Sequence, residues 1–320
     1  MGTTVDHGNS MEVLTDETRG VGRTNSQPSV SLIVCSRDRP ALLFDTVSSI
    51  LEGNLVPNEL IIIDQSKVEN GALAHFQTDR SCAIRYMWVS SAGLSRANNE
   101  GIRAAQHEIL VFTHDDVAVT PDWLGTLVAA LVQAGERTIV TGMILPATPE
   151  GADGIVPTLQ VDPVAATYKG RIGKNVLYVL NMALYRSSIV QIGMFDERLG
   201  PGTPYPGGED SDLGFRFLEA GYHIQYVPEA VLYHRAWRKA SEHLQLRWSY
   251  GRGQGAFYGK HVSLQDGYML NRMVKEIVRR SYESLCHLRH NRPVAYDNAV
   301  SVLAVCSGVI QWFMTHRKRS

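Results

Sequence analysis

An α/β fold, with a mostly parallel sheet sandwiched by helices, is predicted by three observations. Short, β-branched apolar runs recur at residues 30–35, 60–63 and 109–112. Stretches with apolar residues at helical spacing, 41–52 and 94–106, fall between them. Each run ends on a polar, acidic segment. Continuous apolar runs mark strands buried on both faces, and their alternation with helices marks parallel crossover units. Ligands of such sheets bind beyond the carboxyl ends of the strands. Asp38, Asp64, Asp115 and Asp116 all stand at such ends.

Taken in order, residues 1–28 are polar, carry no apolar signal core and read as a disordered leader. The first run enters the polar loop Ser36-Arg37-Asp38-Arg39-Pro40. Leu42, Leu43, Val47, Ile50 and Leu51 then make one helical face, closed by Gly53-Asn54. The second run ends at Asp64-Gln65-Ser66, and the third at Thr113-His114-Asp115-Asp116. Residues 141–206 are richer in Gly and Pro, and within them 178–185 reads as a strand ending the sheet. A helix over 212–220 shows Leu213 and Phe217 on one face, with Gly221 as C-cap. Residues 222–227 read as a strand stopped by Pro228. From about 240 the pattern is helical and basic, interrupted by Gly251, Gly253, Gly255 and Gly259. The expected organisation is leader 1–28, catalytic domain 29–239 and helical basic extension 240–320.

Bulk properties narrow the function. The apolar share is 44%, the charged share 20% and the formal net charge -1, as in ordinary globular proteins. That charge gives no field steering the chain to nucleic acid, and no nucleic-acid motif is present. The four cysteines (Cys35, Cys82, Cys286, Cys306) form no CxxC pair, so a reducing, cytoplasmic compartment is the default.

Two acidic clusters carry the chemistry. His114-Asp115-Asp116 closes a buried strand, and Glu209-Asp210 follows Gly207-Gly208 directly before a helix. Hard carboxylate oxygens suit a divalent ion that neutralises a diphosphate, and the second cluster can supply a base. Plain structural readings stand beside these. Asp116 can cap a turn, Glu209 and Asp210 suit a helix N-terminus, and His234 can be a packed residue.

These segments resemble, in order, the inverting family 2 glycosyltransferases of GT-A (nucleotide-diphospho-sugar transferase-like) fold. The resemblance runs from about Ser29 to His234. It comprises residues 30–40, Ile61-Ile62-Ile63-Asp64-Gln65-Ser66, residues 93–101, His114-Asp115-Asp116 at the DXD position, Ile192-Gly193-Met194-Phe195-Asp196-Glu197, Gly208-Glu209-Asp210, and 231–234. The resemblance implies Asp210 as general base and Glu209 as a residue orienting sugar hydroxyls. It implies Asp116 and His234 as ligands of Mn2+ or Mg2+, and Asp64 as nucleobase acceptor beside Ser36 and Arg37. His114, Asp115, Arg96 and Asn98 complete the expected nucleotide-sugar pocket. The implied donor is a UDP-, GDP- or dTDP-sugar, and the implied acceptor a glycan or lipid-linked hydroxyl in polysaccharide or glycolipid synthesis. A sugar-phosphate nucleotidyltransferase and an inactive nucleotide- or sugar-binding scaffold are the alternatives.

The chain departs from the family pattern twice. His114 replaces the usual first acid of the metal triplet, which puts the ribose or donor-sugar contact of that acid in doubt. Ala97-Asn98-Asn99 lacks the arginine of the frequent "ARN"; Arg96 either takes part of its role or faces solvent. Beyond His234 the reading is physical. Basic residues interleave with Trp237, Trp248, Tyr250, Phe257 and Tyr258, as a solvated helical face or as a docking face for anionic lipid. Residues 299–314 are apolar but shorter than the roughly 20 residues of a bilayer span. They read as a buried terminal helix, or as one on the inner face of the cell membrane with cationic residues 317–319 at the headgroups.

Overall fold

In the computed structural model the described residues are 28–76, 78, 80–148, 156–235, 237–239 and 242–316. The expected leader, but for its last residue, and the cationic end at 317–319 lie outside them. Among the described residues one sheet runs in the order β3-β2-β1-β4-β8-β6-β9-β5, with β7 paired to β9. Its strands are β1 (Val30–Ser36), β2 (Glu59–Asp64), β3 (Ala83–Trp88), β4 (Ile109–His114), β5 (Val117–Val119), β6 (Thr138–Pro146), β7 (Ala166–Lys169), β8 (Met182–Tyr185) and β9 (His223–His234).

The first half of the sheet is wholly parallel. The register sets Ser36 opposite Asp64 and Cys35 opposite His114, so three strands end at one level. Side chains alternate between two cores, as pleating requires. Leu32 and Val34 pack with Leu43 and Val47 of α1 (Pro40–Leu51) and with Trp123 and Leu127 of α4 (Trp123–Ala134). Ile33 and Cys35 pack on the other face with Ala97 and Ile102 of α3 (Leu94–Ala104) and with Leu213 and Phe217 of α6 (Glu209–Glu219). Each such fully buried side chain contributes about 1.5–3 kcal/mol. The short helices α2 (Gly71–Ala74) and α5 (Arg186–Ile192) complete this domain.

The second half is mixed and corrects two expectations. β8 does not end the sheet; it lies inside it, antiparallel to both β4 and β6. Nor does Pro228 stop β9. The ladder with β6 passes from Gly142↔Val227 to Met143↔Val231, so residues 228–230 bulge out and pairing resumes to His234. A bulge tolerates a proline, which has no N–H to give to a ladder. Asn181 satisfies the bulge: its amide donates to the carbonyls of Met143 (2.8 Å) and Ala230 (3.0 Å), and its Oδ1 accepts from Trp123 Nε1 (2.8 Å). His234 reaches the cleft because the strand continues past Pro228.

The C-terminal helices are α7 (His243–His261), α8 (Tyr268–His287) and α9 (Arg292–His316). The glycines expected to interrupt α7 do not break it. Gly251, Gly255 and Gly259 lie at i, i+4 and i+8, on the face that meets α9. A Cβ on Gly255 would stand 2.1 Å from the Val305 carbonyl oxygen, and one on Gly251 would stand 2.6 Å from Ala304 Cβ. The helix keeps these residues because only glycine lets the two backbones touch, despite a helix-propensity cost of about 1 kcal/mol each. Ala295, Ser301, Ala304, Val305, Gly308 and Trp312 make the buried face of α9, while Tyr296, Leu303, Ile310, Phe313 and Met314 are exposed. Neither a wholly buried nor a wholly exposed terminal helix describes it. Gly255→Ala is expected to cost about 1–3 kcal/mol through overpacking, read as a lower urea midpoint. Gly71→Ala, where a Cβ meets nothing within 4 Å, should stay within about 0.5 kcal/mol. Equal midpoints for the two variants would mean that α9 yields freely.

Candidate active site

A cleft of about 620 Å³ opens beyond the carboxyl ends of β1 and β4 and is closed on its far side by α7. It brings together Ser36, Arg37, His114, Asp115, Asp116, Glu209, Asp210 and His234. On one wall, Asp115 accepts hydrogen bonds from Ser36 Oγ (2.7 Å) and Arg39 Nη1 (3.2 Å). Asp116 Oδ2 accepts from the same Arg39 nitrogen at 2.7 Å. Burial and the neighbouring Asp116 push Asp115 up to about 6, against Arg39 and Ser36. Burial acts to raise Asp116 as well, but His234, His114 and Arg39 outweigh it and hold this carboxyl far below the usual range. Asp116 therefore stays ionised.

His234 faces Asp116, with Nε2 3.4 Å from Asp116 Oδ1. Its Nδ1 lies 3.0 Å from the Thr158 carbonyl oxygen, which only accepts, so Nδ1 carries the proton. That leaves Nε2 turned toward the Asp116 carboxylate. Asp116 Oδ1 is buried without a hydrogen-bond partner. An unpartnered carboxylate oxygen beside an imidazole nitrogen, with the ring fixed from behind by a carbonyl, suits a cation between them. Among the described residues no group of three or more His, Cys, Asp or Glu side chains converges. A two-residue set is what Mg2+ or Mn2+ needs when phosphates and waters supply the other oxygens. His114 also lines the cleft. Burial, with His234 and Arg39 opposed by Asp116, lowers it to about 4, so it is a neutral hydrogen-bonding group where an acid was expected.

The opposite wall is the start of α6. Gly208 adopts φ 86° as its N-cap, a left-handed conformation that favours glycine, and Glu209 and Asp210 follow as its first residues. Both side chains are half-buried in the cleft wall. Burial, and then the charge of Glu209, raise Asp210 well above its ordinary range. Burial lifts Glu209 to about 7, and its Oε2 has no partner. The turn is held from outside: a Cβ on Gly253 of α7 would stand 2.4 Å from the Gly207 carbonyl carbon, so the two backbones touch. Charge fastens the same joint. Buried Asp212 binds Arg216 (2.9 Å), Lys260 (2.6 Å) and His261 (2.7 Å), and Lys260 also reaches Asp196 at 2.7 Å.

Three expected pocket residues lie elsewhere. Asp64 is buried outside the cleft lining, accepting from Ser66 N (2.9 Å) and Tyr86 Oη (2.7 Å). Arg96 faces outward and pairs with Glu197 at 3.1 Å. Asn98 sits beneath β1, accepting from Cys35 Sγ at 3.1 Å. Ser36 bonds Asp115, and Arg37 is exposed at the cleft mouth. Sequence reasoning missed Arg39, Tyr178, Arg238, Tyr250 and Gln254, all of which line the cleft. Arg39 carried a signal, since it lies in the first strand-end loop opposite the acids. Tyr250 and Gln254 carried none, because their helix reaches the cleft only through tertiary packing.

Residues 28–251 match the family described as "Glycosyltransferase like family 2", and the chain belongs to that family. The match extends into α7. The chain is similar to the hyaluronan synthase of Pasteurella multocida, 22% identical over 250 residues, which are 68% of this chain and 25% of that protein. It is also 22% identical over 240 residues to an N-acetylglucosaminyltransferase of Sinorhizobium fredii, covering 71% of this chain and 58% of that one. The chain thus spans a quarter of the former relative's length and under two thirds of the latter's. Among solved structures it resembles a mannosyltransferase from Pyrobaculum calidifontis in complex with GDP-Man and Mn2+. The TM-score is 0.59 at 15% identity, covering 89% of this chain and 88% of that one. It also resembles GalNAc-T7 with UDP, GalNAc and Mn2+, with a TM-score of 0.55 at 15% identity, covering 92% and 59%. These likenesses establish a GT-A-like α/β fold with a helical C-terminal region.

The raised carboxyl has a consequence for stability. The folded chain holds the Asp210 proton more tightly than the unfolded chain does, so stability falls as pH rises from the ordinary carboxylate range through the raised one. Asp210→Asn removes that cost. The variant is expected to melt about 2–4 °C above the wild type at pH 8 for each 1 kcal/mol relieved, the gap closing toward pH 4. A variant melting below the wild type at pH 8 would contradict the assignment.

Proposed function

We propose that the chain is an inverting, metal-dependent glycosyltransferase that moves a sugar from a nucleotide-diphosphate sugar to an acceptor hydroxyl in polysaccharide or glycolipid synthesis. The observation that carries this reading is the pairing of opposite electrostatic walls in one cleft. Ionised Asp116 and the His234 ring lie on one side, and the proton-retaining Asp210 lies on the other. Carboxylates driven apart in this way mark separate roles. The relatives named above are glycosyltransferases, and the structural neighbours are described with GDP-Man or UDP and with Mn2+.

In this mechanism Asp210 accepts the proton of the acceptor hydroxyl as its oxygen bonds to the anomeric carbon. The carbon–oxygen bond to the diphosphate breaks on the opposite face, and the nucleoside diphosphate leaves with the electron pair, so configuration inverts. Asp116 and His234 would hold Mn2+ or Mg2+, which supplies neutralisation of the leaving diphosphate. Glu209 orients a hydroxyl. Its raised pKa keeps part of it protonated near neutrality, able to donate as well as accept. Arg39, already on both aspartates, adds fixed positive charge beside the phosphates.

The exposed apolar residues of α9, and Val274, Val278, Tyr282 and Leu285 along α8, support a place at the cytoplasmic face of the membrane. α9 is long and apolar enough to cross a bilayer, with mean hydropathy 1.4 over an 18-residue window of which 28% is buried. Its glycine-mediated packing on α7 favours lying on the surface over spanning it.

Thermal-shift, kinetic and flotation measurements test these readings. UDP or GDP with Mn2+ should raise the melting temperature, and Asp116→Asn or His234→Ala should abolish that rise. Asp210→Asn should keep it while lowering transfer by about 10²–10⁴-fold. In the wild type kcat/KM should climb with pH on a limb above the ordinary carboxylate range, because the base works ionised. Full activity in Asp210→Asn would remove the assigned base. In liposome flotation, anionic vesicles should carry the full chain, and Val278→Glu with Tyr282→Glu should release it. Flotation unchanged by those charges would remove the membrane face.

A further inference from the structure

A second cavity, of about 470 Å³, lies between α7, α8 and α9, beside the catalytic cleft. Asn175, Tyr250 and Gln254 line both cavities, so the two share a wall. Its charge is one-sided. Lys174, Arg247, Arg272, Lys275, Arg279 and Arg280 line it; Arg279 pairs outside it with Glu283 (2.7 Å) and Arg247 approaches Asp297 (3.9 Å), and the single lining carboxylate is Glu276. That carboxylate is already committed, accepting from Arg280 Nε at 2.9 Å and from the Tyr258 hydroxyl.

Arg272 is the telling residue. It is only 9% exposed, yet forms no ion pair among the described residues. Its Nη2 donates to Asn175 Oδ1 at 2.7 Å, its guanidinium lies 5.3 Å over the Phe257 ring, and its Nε is buried without a partner. Lys275, beside it on α8, has no carboxylate partner among the described residues either. Burying an uncompensated guanidinium costs several kcal/mol unless a counter-charge and the missing hydrogen bond are supplied. An oxyanion supplies both, and a guanidinium matches phosphate geometry.

We infer that this cavity is an anion subsite that holds a phosphate or diphosphate group of the acceptor while the acceptor's hydroxyl lies at Asp210. The inference rests on the transferase reading, since the shared wall gives the pocket an acceptor role only if the cleft performs transfer. The group can belong to a lipid diphosphate or to a phosphate within a soluble glycan. The subsite would then discriminate phosphorylated from neutral acceptors.

The test is calorimetric titration of the full chain with inorganic pyrophosphate in EDTA. EDTA removes any ion that could bridge diphosphate to the cleft aspartates, and the two variants below assign the binding to this pocket. The wild type should bind with a dissociation constant below about 1 mM, a modest binding energy. Arg272→Gln and, separately, the exposed Lys275→Gln should each weaken binding at least about tenfold, the order expected for one charge-assisted contact. Both should retain binding of UDP or GDP with Mn2+. Should Arg272→Gln fail to fold, Lys275→Gln decides. Farnesyl diphosphate separates the sources. Tighter binding than pyrophosphate indicates a lipid diphosphate, equal binding a soluble phosphate, and either supports the subsite. Absence of pyrophosphate binding, or binding unchanged in Lys275→Gln, overturns the inference while nucleotide binding leaves the transferase reading intact. Pyrophosphate binding without any nucleotide binding would instead remove the transferase reading, and with it the acceptor role.

Discussion

The contact between Gly253 of α7 and the Gly207–Gly208 turn fixes much of the rest. A turn at the head of α6 presents Glu209 and Asp210 to the cleft, and exposed turns are ordinarily the least rigid part of a domain. Here a helix backbone lies directly against it, at a distance no side chain could share. On its other face α7 is pressed by α9 through Gly251, Gly255 and Gly259. The cluster around Asp212, which burial would raise but His261, Arg216 and Lys260 hold at about 2, fixes the joint by charge. The C-terminal helices are therefore part of the site's supporting frame. Removing one partner from such a buried cluster costs far more than the cluster contributes as a whole.

The second organising element is a gradient of proton affinity across one cleft. Burial alone would raise every carboxylate in it. Arg39 and His234 counter that on the β4 side, while among the described residues no cation pairs with Glu209 or Asp210 on the α6 side. The same desolvation thus yields a permanent anion on one wall and a proton acceptor on the other. His114, neutral at physiological pH, limits the negative charge gathered around Asp116. This gives the departure from the family's first acid a physical sense: a neutral imidazole at 114 adds no third negative charge to Asp115 and Asp116.

The mixed half of the sheet shows how a local breaker becomes a positioning device. Pro228 was read as the end of a strand because it lacks an N–H. The chain instead loops residues 228–230 out, with Asn181 replacing the lost ladder bonds, and the strand resumes in time to deliver His234 opposite Asp116. The inverted strand β8 supplies that asparagine from the residue just before it. A cleft histidine, a buried amide and a proline bulge are thus one construction, assembled from segments nearly fifty residues apart.

What the sequence determined by itself was periodic or terminal. Apolar runs ending in acids placed β1, β2 and β4, their parallel order and the level at which ligands bind, because a strand buried on both faces leaves its imprint residue by residue. Ordered short motifs placed Asp116, Glu209, Asp210 and His234, which do share one cleft. What only the tertiary structure decided was non-local. Asp64 at the end of β2, and Arg96 and Asn98 at the start of α3, point to Tyr86, Glu197 and Cys35, since a position in an element does not fix which neighbour a side chain finds first. The glycines of α7 looked like helix breakers because propensity is local, whereas the reason for them is a backbone on each side. Tyr250, Gln254 and Arg272 acquire their surroundings from helices that meet only after the chain has folded, and no spacing within one helix encodes what another helix will bring against it.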